Sequence, residues 1–67
     1  MQDYQIRDKI HPNQMVRIKI KENGVYGREE VGKVARILTK TSEHYRGIKV
    51  MLENGIVGRV VEICKNC

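Results

Sequence analysis

The residues best equipped for chemistry in this chain are cations set at alternate positions. In the run from Met15 to Lys21, Arg17, Lys19 and Lys21 take every second place, with Val16, Ile18 and Ile20 between them. A β-strand sends successive side chains to opposite faces, so this spacing predicts one apolar face and one row of three positive charges. Such a row attracts phosphates. Lys33, Lys49 and Arg59 fall in other apolar runs, and Arg28 and Arg46 in polar segments, so several can join the same face. Tyr26 and Tyr45 each stand in a polar loop near an arginine. Exposed aromatics of that kind stack on unpaired bases. The competing interpretation is a plain solvated sheet face, with lysines that discourage edge pairing.

Other constellations are thinner. His44 stands mid-loop beside Tyr45 and Arg46, where it can meet a phosphate or base, or hold the turn into Gly47 by hydrogen bonding; the second role is the simpler one for a loop. His11 before Pro12 reads as a turn residue. Cys64 and Cys67 have the Cys-x-x-Cys spacing of half a zinc site, but four ligands are needed, and His11 and His44 have no ligand spacing. Two free thiols on a terminal tail, with no metal and no cofactor, is the expectation. No nucleophile–base–acid set and no glycine-rich phosphate cradle is present, which argues against an enzyme.

The overall balance agrees with the cationic row. Thirteen Lys and Arg against eight Asp and Glu give a net charge of +5, and a small basic domain is drawn to nucleic acid or other anionic surfaces. Sixty-seven residues make a single domain with a small core. Val and Ile dominate the apolar set, with three Tyr and neither Phe nor Trp, which favours strands over helices. The first residues lack the apolar centre of a secretory signal, and no stretch reaches a membrane span; a cytoplasmic location is expected.

The elements that must position these groups can be read from phase and turn residues. Met15 to Lys21 is the clearest strand. The segment Glu22 to Glu30 contains Asn23-Gly24 and Gly27 and reads as a long hairpin loop. Val31 to Leu38 is the next strand; Val34 and Ile37 are three apart, so a bulge is needed to turn both inward. Gly47 to Leu52 alternates again, and Asn54-Gly55 signals a tight type I′ turn into Ile56 to Ile63. That turn would pair Val50 with Arg59 and set Arg59 on the core side. Gly32 and Gly58 read as bends. The result is an all-β fold, a small SH3-like, partly open barrel built from two hairpins with bent second strands. Residues 1–9 read as an N-terminal extension, 10–63 as the barrel and 64–67 as a tail.

From Ile10 onward the chain resembles the YwbE-like family of small proteins. The resemblance rests on Ile10-His11-Pro12, Val16 and Ile18, Gly32-x-Val34-x-x-Ile37-Leu38-Thr39, His44, Gly47-Ile48-Lys49-Val50, Leu52, Gly55 and Val57-Gly58-Arg59-Val60. Asn13 and Tyr45 depart from it, standing where the family tends to have Gly and Pro. The resemblance implies a fold and no mechanism. The Gly-x-Val-x-x-Ile phrase is also similar to KOW motifs of ribosomal and transcription-associated barrels, which contact RNA. Together these readings lead to a non-catalytic module for RNA or single-stranded nucleic acid, using Arg17, Lys19, Lys21, Tyr26, Arg28, Lys33, His44, Tyr45, Arg46, Lys49 and Arg59. A protein-interaction or assembly adaptor with no nucleic-acid ligand is the alternative; neither reading involves a membrane.

Overall fold

The computed structural model describes residues 2–64. Strands β1 (Met15–Glu22), β2 (Val25–Ile37), β3 (Lys49–Leu52) and β4 (Val57–Ile63) follow one another antiparallel around a ring, and β4 pairs back onto β1. Two 3-10 turns, Asp3–Gln5 and Arg7–Lys9, precede them. The fold is all-β, a small barrel of two hairpins, as the alternation predicts. No helix among the described residues is long and apolar enough to cross a membrane.

Alternation decides what lies inside. Val16, Ile18 and Ile20 of β1 meet Val34, Val50, Leu52 and Val60 in the barrel, with Ile10 and Ile48 closing it from the connections. The second strands bend as expected. In β2, Val34 pairs with Leu52 but Arg36 with Met51, so Ala35 is a bulge, and Val34 and Ile37 both reach the core. In β4, Ile18 lies opposite Val60 but Arg17 opposite Glu62, which leaves Val61 as the extra residue.

The two Asn-Gly turns exchange the roles expected of them. The first is the tight one: Glu22 pairs with Val25, and Asn23 (φ 52°) and Gly24 (φ 81°) are both left-handed, as a type I′ turn requires. The segment read as a long loop is therefore strand, with one bulge at Gly27 that shifts the β1–β2 register. The second is a three-residue loop. The Gly55 N–H donates to the Leu52 carbonyl at 2.9 Å, the Leu52 N–H to the Ile56 carbonyl at 2.8 Å, and only Gly55 (φ 88°) is left-handed.

That extra loop residue moves the β3–β4 register by one. Val50 pairs with Gly58, and Arg59 pairs with Lys49. Arg59 thus leaves the core side, where a two-residue turn would have placed it. No bulge falls at Gly32 or Gly58, for both lie in unbroken register. They are sites of close approach. A Cβ on Gly58 would stand 2.5 Å from the Lys19 carbonyl oxygen and 2.9 Å from Ile18 Cδ1, so β4 closes onto β1 only because that atom is missing.

Candidate functional site

Ring closure sets three cations side by side. Arg59 on β4 lies opposite Lys49 on β3 and opposite Lys19 on β1. Neighbouring strands are about 4.8 Å apart, so the row Lys49–Arg59–Lys19 crosses about 10 Å of the barrel surface. Like charges directly opposite each other destabilise a sheet. Glu29 of β2 lies across from Lys19 but turns to Arg17, 4.0 Å away. Among the described residues no carboxylate forms an ion pair with Lys19, Lys21, Arg46, Lys49 or Arg59.

Two adjoining depressions flank this row. One, about 250 Å³, is lined by Tyr4, Lys19, Tyr26, Tyr45, Arg46, Arg59 and Val61. The other, about 300 Å³, is lined by Lys21, Tyr26, Lys49, Val57, Gly58 and Arg59. Between them they gather all three tyrosines of the chain with five cations. A wider groove of about 630 Å³ near Cys64 carries charges of both signs, from Asp3, Lys9 and Glu62, and has no such convergence.

Arg59 ties the site together. Its Nε donates to the Tyr26 hydroxyl at 3.3 Å, and its Nη1 to the Gly47 carbonyl at 3.1 Å. The guanidinium beside it holds the Tyr26 phenol below the usual tyrosine value, with Lys21 and Arg46 adding smaller effects in the same direction. Lys21 Nζ also sits over the Tyr26 ring, 5.7 Å from its centroid. Tyr26 reaches this place because β2 begins directly after the tight turn and pairs Tyr26 with Lys21.

The loop bearing Tyr45 and Arg46 is held from the N-terminal side. The Ile48 and His44 N–H groups donate to the carbonyls of Tyr4 and Gln5, at 2.9 Å each. Gln5 Nε2 donates to the Tyr45 carbonyl at 2.6 Å, and Arg7 Nε to the Thr39 carbonyl at 2.9 Å. His44 plays the loop-holding part expected of it. Its carbonyl accepts the Gly47 N–H at 3.0 Å and its Nδ1 the Arg46 N–H at 3.2 Å. Partial desolvation, then the Arg59 and Arg46 charges, push the His44 imidazole below its ordinary 6.5.

The structure brings together seven of the eleven residues singled out from sequence: Lys19, Lys21, Tyr26, Tyr45, Arg46, Lys49 and Arg59. His44 stands next to them, its ring stacked on Tyr45 at 5.1 Å. Three others lie apart. Arg17 is bound to Glu29 and, at 3.4 Å, to Glu62; Arg28 is bound to Glu22 at 3.4 Å. Lys33 pairs with Met15 at the far end of β1 and lines neither depression. Sequence reasoning missed Tyr4 and Val61. An aromatic inside a polar N-terminal stretch was the one signal for Tyr4; Val61 depends on a bulge that no local residue announces. The Cys-x-x-Cys spacing runs past Cys64, outside the described residues, and among those described no three metal-ligating side chains gather.

Fold and site together define a small all-β barrel with a face of cations and tyrosines. The model of a family of uncharacterized conserved proteins, DUF2196, matches residues 3–63, and the chain belongs to that family. The match takes in Tyr4 and both 3-10 turns as well as the barrel. The chain is 41% identical over 59 residues to the Uncharacterized protein YwbE of Bacillus subtilis (strain 168), covering 88% of this chain and 91% of that one. The YwbE-like resemblance is thus established across most of the sequence. No solved structure matches the chain.

Proposed function

We propose that this protein is a non-catalytic cytoplasmic module that binds single-stranded nucleic acid, RNA in the first place, on the face formed by β3, β4 and β1. One observation carries the reading: the row Lys49–Arg59–Lys19, unneutralised by any of the chain's own carboxylates among the described residues. A row of like charges costs the folded state stability, and a bound polyanion offsets that cost. The three tyrosines beside it favour nucleic acid over a simple anion, because bases stack on aromatic rings while phosphates follow the cations.

An amide-shift titration with a short RNA at low salt tests this. Shifts are expected at Lys19, Lys21, Tyr26, Tyr45, Lys49 and Arg59, and none at Lys33. An unchanged spectrum at those positions would remove the proposal.

A second reading has its own observation. From Val25 to Gly32, β2 pairs with β1 alone, and Val25 and Val31 are 66% and 44% exposed. A partner strand could dock along that edge. Such docking would respond little to salt, whereas phosphate binding falls steeply.

A further inference from the structure

Resting on the nucleic-acid reading, we infer that the ring of Tyr45 is a pre-set platform for one unpaired base, with the flanking phosphates on the Lys49–Arg59–Lys19 row, so that the ligand is a single strand and not a duplex. Tyr45 is 65% exposed and lines the same depression as Arg59. Exposed rings on loops ordinarily sample several rotamers, but this one is restrained. His44 stacks on it with an angle of 11° between the planes. Arg46 Nε donates to its hydroxyl at 3.0 Å, and the Arg46 guanidinium carbon lies 5.4 Å from the ring centroid. Gln5 fixes its carbonyl from the N-terminal segment.

A ring already fixed in place loses little freedom when a base stacks on it, which is how preorganisation raises affinity. A base stacking on the ring would share it with His44 and with the Arg46 guanidinium that lies over it. The neighbouring surface suits the rest of a nucleotide: Tyr4, Tyr26 and Val61 supply apolar walls, and Lys19 and Arg59 supply charge. A duplex hides its base faces, so it can offer this site phosphates alone.

The test compares three probes at one low salt concentration: an oligouridylate about eight nucleotides long, within the span that small barrels cover, an abasic ribose-phosphate chain of equal length, and a duplex RNA. The chain has three Tyr and no Trp, so tyrosine emission reports stacking directly. Oligouridylate should bind about tenfold tighter than the abasic chain and quench the emission, in keeping with base–aromatic stacking. Tyr45→Ala should remove most of that advantage, and Tyr45→Phe, which loses the hydroxyl bond but keeps the ring, should retain most of it, with the amide spectrum confirming that both variants fold. Equal binding of the abasic chain, or an unchanged preference in Tyr45→Ala, would overturn the base platform and leave the nucleic-acid reading standing. Binding of no probe would overturn both.

Discussion

Arg59 and Lys19 face each other across β4 and β1, two positive charges in register, and Glu29, the carboxylate on the other side of Lys19, is turned away to Arg17. The juxtaposition follows from two features of packing. Gly58 lets β4 approach the Lys19 carbonyl, and the three-residue turn at Gly55 puts Arg59 on the outer face.

If the row is a binding feature that the fold tolerates at a cost, removing charge from it should leave the protein at least as stable. Lys19→Gln with Lys49→Glu should keep or raise stability, by about 0.2–1 kcal/mol for each like-charge pair relieved. Glutamine is chosen at position 19 because Glu29 lies directly across on β2. The same variant should lose RNA binding. Thermal melting beside the oligonucleotide titration checks both, and a marked fall in melting temperature would assign the two lysines a structural role.

The depressed His44 pKa gives a pH signature. Its folded-state value lies below 6.5, so the unfolded chain takes up the proton first. This group's contribution to stability is complete above 6.5 and is lost as pH falls through the folded-state value. Protonation also removes the Nδ1 lone pair that accepts the Arg46 N–H. Titration of the imidazole by NMR should give a value below 6.5 in the free protein and a higher one with a bound polyanion. An identical value in both states would detach His44 from the site.

Tyr26 supplies a second titration. Its phenol should deprotonate below the ordinary value of 10.0, chiefly because Arg59 hydrogen-bonds its oxygen. In Arg59→Met the ultraviolet titration should move Tyr26 back upward. No movement would mean that the Arg59–Tyr26 hydrogen bond is not formed in solution.

Two glycines should behave oppositely on substitution. Gly47 has φ 103°, and a Cβ there would run into the Val60 carbonyl oxygen. Gly47→Ala should cost at least about 2 kcal/mol, combining backbone strain with a clash. Gly27, at the β2 bulge, has no atom within 4 Å of an added Cβ and no positive φ. Gly27→Ala should therefore be neutral or stabilise by up to about 1 kcal/mol. Denaturant unfolding of the two variants measures the contrast.

The parts of this fold that were legible in sequence are those where one face is buried. Val16, Ile18 and Ile20 alternate because the barrel interior lies on one side of β1, and the Val34–Ile37 spacing announced its bulge for the same reason. The first half of β2 was not legible. Residues 25–30 project as part of a hairpin, with four of the six exposed and Tyr26 and Glu30 partly buried, so the apolar period that marks a strand is absent. Turn type is not legible because Asn-Gly suits a two-residue turn and also the end of a three-residue one; the count of residues between paired positions decides, and sequence does not display it. The consequence reached the site, since a one-residue slip at Gly55 carries Arg59 from the inner face to the outer. Tyr4 escaped notice because its neighbours Gln2, Asp3 and Gln5 are polar. Of these, Gln5 clamps the loop around Tyr45, while Gln2 and Asp3 bond within the N-terminal turn.

The most direct test of the cationic row is the salt dependence of RNA binding, followed by anisotropy of a labelled single-stranded RNA between about 50 and 200 mM salt. Each phosphate neutralised on a single strand contributes about −0.7 to the slope of log K against log salt. Three row cations therefore predict a slope near about −2, rising in magnitude toward about −3.5 if Lys21 and Arg46 also engage. A slope near zero, or no binding at the lowest salt, would contradict the account.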